Sequence, residues 1–332
     1  MKRALLAGGG LLVSAVALVL AFAHVHLEGG LRLEPRVHSV DLKAALASAR
    51  LGWLVAFAVL NVASLLPRAL QLRALVRRRD GSEPSLLATY HAQAISMLAQ
   101  NVLPARMGEA ARVVALAKAD DVAPSQAAGA VVFSRVLDLV ALILVTCVPA
   151  LLLDVGASRH LRLAAEIGIG VGVTLVISLA LLYRRREAVS RWAHGLRPSL
   201  GRAMSGFTEG LSALSSGRRL LEAALATLSA PVVVAACYGC ALYAFNLGGL
   251  PTGTALVLVA TVLFAIAIPS APSSVGVYHA AVTWLLPSLG AAPAQAAAFA
   301  IVTHAIGVVS FVALGTVSML KVGTSLTAEP PG

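Results

Sequence analysis

The chain has 332 residues, 58% of them hydrophobic and only 12% charged, and its mean hydropathy is +0.86. A soluble domain carries about 25% charged residues, so this composition excludes an ordinary soluble fold and indicates a polytopic membrane protein. The net charge of +11 does not point to nucleic acid, because the basic residues gather in clusters that flank apolar segments, where they report topology.

In chain order, residues 4–23 carry no charge and are about long enough to cross a hydrocarbon core, and similar runs recur near 51–67, 127–153, 163–183, 220–247 and 294–320. Lys2 and Arg3 before the first run resemble the start of a signal peptide, but the run exceeds an ordinary signal core and further helices follow. An uncleaved first helix is therefore expected, with a cleaved leader as the alternative. Arg68, Arg73 and Arg77–Arg79 follow the second run, and Arg184–Arg186, Arg191, Arg197 and Arg202 follow the fourth. The positive-inside rule places both loops and the N-terminus in the cytoplasm.

With those points fixed, residues 85–118 must make no net crossing. The part up to Leu103 holds Thr89, His91, Gln93, Ser96, Gln100 and Asn101, too polar for a lipid-facing span and suited to a re-entrant hairpin lining a cavity. Residues 255–268 are too short for a usual span before Pro269 and Pro272, so a second hairpin is expected through 277–290. The expected fold is an all-α helical bundle of about six full spans plus two broken hairpins in an inverted repeat; the alternative counts eight spans. Halves of about 1–183 and 220–322 would be joined by an amphipathic connector over 184–219, with a disordered tail over 323–332. Both termini fall in the cytoplasm, and the site is the inner or plasma membrane. The connector reads as a lateral link on the membrane surface, or as a collector of anionic headgroups through its arginines.

Two motifs interrupt the apolar pattern, Leu103-Pro104-Ala105-Arg106-Met107-Gly108-Glu109 and Pro272-Ser273-Ser274-Val275-Gly276-Val277-Tyr278-His279. Each sets Pro-x-x-x-Gly before or near an ionisable residue. Backbone broken within a membrane is tolerated only where protein or water covers it, so paired breaks in two halves mark a candidate substrate site at mid-depth. Pro104, Gly108, Pro269, Pro272 and Gly276 would shape the hairpin tips.

Charges inside apolar segments cost roughly 2.5 kcal/mol or more unless paired or hydrated, so the few present are informative. Arg135 and Asp138, like Glu109 and Arg112, stand three apart and share a helix face. Asp138 fits a structural ion pair. Arg106, Arg112 and Arg135 have forked donors suited to a lipid phosphate, and Glu109 could neutralise them, meet an ammonium group or carry a proton. His279 takes nearly the place in the second motif that Glu109 has in the first, and His304 lies in the last apolar run; either could move a proton, touch a headgroup or simply bond a neighbouring helix. Gln100 and Asn101 complete the candidate set. Cys237-x-x-Cys240 lies within an apolar run and reads as core packing, and neither a metal set nor a nucleotide-binding motif is present, so no metal or cofactor is expected.

Asn101 to Arg112, then Arg135-Val136-Leu137-Asp138, then Ile268-Pro269 through Pro272, Gly276 and His279 resemble the lysylphosphatidylglycerol synthase transmembrane-region family, the flippase-like domain proteins. The resemblance runs over nearly the whole chain. It implies a lipid-handling membrane domain. In bifunctional relatives such a domain moves aminoacylated phosphatidylglycerol between leaflets, and a separate cytosolic domain makes that lipid. This chain stops at Gly332 without one, so it is expected to be a stand-alone member and not an enzyme. Other stand-alone relatives are associated with glycosyltransferase, isoprenoid-linked or hopanoid pathways. Many relatives carry Glu where this chain has His279, which weakens the expectation of a cationic lysyl headgroup here.

The expected function is thus a lipid translocator that passes a polar, phosphate-containing headgroup through a cavity between the two hairpins. The alternative is an accessory subunit that presents a lipid carrier to a lipid-modifying enzyme such as a glycosyltransferase; no nucleic-acid partner is expected.

Overall fold

The computed structural model describes residues 2–26, 32–103, 107–152, 159–268 and 270–323. Pro104, Arg106 and Pro269 of the candidate set, and nearly all of the expected tail, lie outside them. The elements in order are α1 (Lys2–Phe22), β1 (Ala23–His26), β2 (Arg32–Pro35), α2 (Ser39–Ala47), α3 (Leu51–Ala63), α4 (Leu65–Leu75), α5 (Leu86–Val102), α6 (Gly108–Asp120), α7 (Pro124–Leu152), α8 (Arg159–Arg184), α9 (Arg186–Leu196), α10 (Pro198–Glu209), α11 (Gly217–Ala244), α12 (Thr254–Ala267), α13 (Val277–Ser288) and α14 (Pro293–Val322). This is an all-α polytopic membrane protein. The described strands form one antiparallel pair, with Ala23 opposite Pro35, which the apolar pattern of the sequence does not announce.

Long helices occupy each expected span. Leu51–Leu75, Pro124–Leu144, Gly217–Ala244 and Pro293–Val322 are long and apolar enough to cross a membrane, and Gly10–Phe22, Gly170–Arg184 and Thr254–Ile266 are shorter apolar helices. The second span extends beyond the expected end at residue 67, because α4 continues α3 past a turn at Ser64. Pro67 accounts for that turn, because a proline has no N–H to give the carbonyl four residues before it.

The first broken segment returns to its starting point. The backbone N–H of Ser85 donates to Asp120 Oδ2 at 2.5 Å, so α5 begins where α6 ends. At 1.5 Å per residue, α5 and α6 reach about 26 and 20 Å, short of the ~30 Å hydrocarbon core. In the second, α12 and α13 pack against each other, and a Cβ on Gly290 would lie 4.0 Å from Leu250. Their reach is about 21 and 18 Å. The polar face of α5 is turned inward: Thr89, Gln93 and Ser96 are fully buried, and His91 Nδ1 lies 2.9 Å from Ser318 Oγ.

Backbone contacts divide the chain into two compact units. The first comprises Met1–Ala63, Leu98–Met107 and Val232–Ala313; the second comprises Ser64–Met97, Gly108–Pro231 and Leu314–Gly332. The core of the first gathers Phe57, Tyr238, Phe245, Leu258, Val282, Leu286 and Phe299, with Cys237 packed among them. That of the second gathers Leu72, Leu75, Ile95, Leu116, Phe133 and Leu211. The amphipathic stretch after α8 belongs to the second unit and is a two-helix hairpin, α9 and α10, turning at Arg197, where Pro198 starts the new helix with its φ already helical.

Candidate functional site

In the second unit, three pairs of residues spaced i, i+3 converge from three helices: Arg68 and Gln71 on α4, Glu109 and Arg112 on α6, Arg135 and Asp138 on α7. The spacing puts both members of each pair on one face, so each helix delivers two polar groups to one place. Asp138 is the hub. Its Oδ2 accepts from Arg68 Nη1 at 3.2 Å and from Arg135 Nη1 at 3.1 Å, and its Oδ1 accepts from Gln71 Nε2 at 3.1 Å. The same buried amide nitrogen reaches the Ser134 carbonyl at 3.3 Å and Thr227 Oγ1 on α11 at 2.9 Å.

Glu109 links the second pair to the third. Its Oε1 accepts from Arg112 Nη2 at 3.3 Å and takes the other arm of Arg135, while its Oε2 lies within ion-pair distance of the same Arg112 Nη2, at 3.1 Å. Its place in the first turn of α6 also sets a negative charge against that helix's positive end. Arg112 is 3% exposed; its Nη1 donates to Ser134 Oγ at 3.5 Å, while its Nε has no partner among the described residues. Among the described residues, three guanidinium groups thus meet two carboxylates. The cluster is graded, with Gln71 and Arg112 buried at one end and Arg135 and Glu109 open at the other, 38% and 36% exposed. Charge-assisted pairs of this kind hold orientation as well as energy.

In the first unit, the second motif is held by α1. The carbonyl of Ser14 lies so close to Gly276 that a Cβ there would sit 2.2 Å from it, and Gly276 has φ +91°, so both space and backbone demand glycine. Ser14 Oγ accepts from the N–H of Ala271 at 2.8 Å. Ser273 Oγ donates to the carbonyl of Asn101 at 2.9 Å, joining the residues just before the first motif to the second. Ser273 and Ser274 have φ of +60° and +55°, which turns their carbonyls out of the chain direction.

His304 Nε2 lies 2.8 Å from the Ser273 carbonyl. A carbonyl only accepts, so this nitrogen carries the proton. The His304 ring meets His279 edge to face at 4.8 Å and stacks on Tyr278 at 4.9 Å. Tyr278 Oη lies 2.8 Å from Thr303 Oγ1. His279 is buried, beside Phe22 of α1, and its Nδ1 has no partner among the described residues.

Of the residues singled out from sequence, Glu109, Arg112, Arg135 and Asp138 thus form one cluster, and Asn101, Pro272, Gly276, His279 and His304 lie in or beside another. Gln100 is half-buried on the last turn of α5, and Gly108 opens α6. Sequence reading missed Arg68, which it counted among the topological arginines, and Gln71, Thr227, Ser134, Ser14 and Tyr278. Some signals were present. Arg68 and Gln71 repeat the i, i+3 polar spacing of the other pairs, and Ser14 is the one hydroxyl in its apolar run.

Among curated proteins and solved structures, none matches this chain. The family model described as the lysylphosphatidylglycerol synthase TM region matches residues 8–315, a range containing both clusters, and the chain belongs to that family.

Proposed function

We propose that this protein moves a membrane lipid with a phosphate-containing headgroup between leaflets, acting as a transporter and not as an enzyme. The carrying observation is the cluster of Arg68, Arg112 and Arg135 with Glu109 and Asp138. Among the described residues its guanidinium groups outnumber its carboxylates, and its exposed end at Arg135 and Glu109 suits one anionic group entering there. Membership of a family named for a lipid synthase supports a lipid substrate. The two short-helix hairpins support the reading too, since broken helices in membrane transporters bring backbone and polar groups to substrate.

In this reading Arg135 and Arg112 meet the phosphate, and Glu109 gives up part of its hold on them as it enters. The buried histidines of the second motif, His279 and His304, supply a proton-accepting site during the cycle. Ser273, the nucleophile type nearest the broken backbone, has its hydroxyl engaged with Asn101, which favours transport over covalent chemistry. The protein sits in the inner or plasma membrane with both termini cytoplasmic.

The test is reconstitution in liposomes with fluorescent phospholipid, glycolipid and isoprenoid-phosphate probes, following leaflet exchange by dithionite or enzyme accessibility. Exchange of one probe class that is lost in Arg135→Gln supports the reading. No exchange of any probe by folded protein overturns it in favour of an accessory subunit.

A further inference from the structure

The hairpin of α9 and α10 shares no residue with either cluster and has its own chemistry. The two helices are tightly joined: Ser190 and Ser205 hydroxyls lie 2.5 Å apart, and a Cβ on Gly201 would fall 1.8 Å from the His194 ring. The hairpin is also seated on the first turns of α7. A Cβ on Gly129 would lie 2.0 Å from the Phe207 carbonyl oxygen, and one on Gly210 would lie 2.3 Å from that of Gln126. Residues Pro124–Leu144 of α7 are apolar enough to cross a membrane, so their first turns mark its boundary. The preceding helix α8 runs out of apolar residues at Arg184, directly before α9. Both attachments set the hairpin at the depth of lipid headgroups.

What it exposes at that depth is mixed. Trp192 and Leu196 share a face of α9 and are 66% and 58% exposed, and Leu200 on α10 is 40% exposed. Leu196, Leu200 and Ala203 line a shallow groove at the turn, with Arg197 beside them. From Arg184 to Glu209 there are six arginines against two glutamates. The glutamates, Glu187 and Glu209, line a separate polar groove with Arg186 and Arg191. Arg197 and Arg202 are exposed and form no ion pair among the described residues. An apolar tip with Trp beside unpaired arginines is the pattern of a helix lying in the interface of an anionic leaflet.

We propose that the α9–α10 hairpin is a binding surface for anionic phospholipid headgroups, with Trp192, Leu196 and Leu200 seated at the acyl boundary and Arg197 and Arg202 holding lipid phosphates. It is independent of translocation and stands whether or not the protein moves lipid.

The test uses the full chain reconstituted in phosphatidylcholine vesicles with or without phosphatidylglycerol. The Trp192 signal is taken as the difference between wild type and Trp192→Phe, and it is quenched with brominated phosphatidylglycerol or brominated phosphatidylcholine. Severalfold stronger quenching by brominated phosphatidylglycerol is expected, weakening as salt is raised. Arg197→Gln/Arg202→Gln should abolish that preference without changing the unfolding transition, because both side chains are exposed. Equal quenching by the two brominated lipids would overturn the proposal in favour of a generic surface connector. So would Trp192 open to acrylamide and silent to both lipids, which would place it in water or against a protein partner.

Discussion

Replacing Asp138 by Asn tests whether the second-unit cluster is held by charge or merely by packing. The change keeps shape and removes the negative charge that faces Arg68 at 3.2 Å and Arg135 at 3.1 Å. At an effective dielectric near 20, each contact is worth about 5 kcal/mol of gross Coulomb energy. Most of that is offset by the desolvation of three ions, and what a measurement reads is the cost of taking the carboxylate from Arg68 while Arg135 keeps Glu109, a loss of about 3–5 kcal/mol where a pair is fully buried. Here Arg68 is 22% and Arg135 38% exposed, so part of their hydration returns and about 2–4 kcal/mol is expected. Arg68→Gln alone should cost less, and in the Asp138→Asn background it should cost little, since it removes a cation that has lost its partner. The coupling energy should be about 1–3 kcal/mol. Equilibrium unfolding by sodium dodecyl sulfate titration in mixed micelles, on the two single variants and the double, measures it. If the costs of the single variants add to within about 0.5 kcal/mol, the ion pair carries no energy and the argument for a charge-held cluster fails.

Glu109→Gln removes a negative charge that faces Arg112 and Arg135, so the protein should hold phosphate-bearing probe lipids more tightly and exchange them more slowly; unchanged exchange in liposomes removes Glu109 from the mechanism. Gly276→Ala sets a methyl against the Ser14 carbonyl in a left-handed backbone, and about 2–5 kcal/mol of destabilisation is expected in the same detergent titration. Ser14→Ala strands the N–H of Ala271 and should cost about 1–2 kcal/mol, with faster hydrogen exchange at that amide as the local readout.

Apolar run lengths and basic flanks made the spans readable, because a bilayer fixes how long an uncharged helix must be. The breaks at Gly108 and Pro272 were readable for a related reason: broken backbone in such a setting stands out. Pairs within one helix, Arg135 with Asp138 and Glu109 with Arg112, follow from spacing alone. What spacing cannot encode is a partner 63 to 257 residues away. Gln71 finds Ser134 and Thr227, and Ser14 finds Ala271, only once the helices have packed. Arg68 was hidden by its neighbours, since one arginine among several at a span's end looks like a topological signal. The turn between α9 and α10 had its marker in Pro198, yet a run of evenly spaced apolar residues masked it as one continuous stretch.

The seat of Gly276 under the Ser14 carbonyl also constrains how the first unit can move. Two backbones touching without an intervening side chain leave no soft layer to shear, and the hydrogen bond from Ala271 and the Trp284 indole bond to Leu20 at 3.2 Å tie the same pair further along. Helix α1 and the 270–284 region therefore behave as one lever. Any rearrangement that repositions His279 carries the N-terminal helix with it, and a crosslink between the two should leave that motion intact, whereas one tethering α1 to its surroundings should stop it.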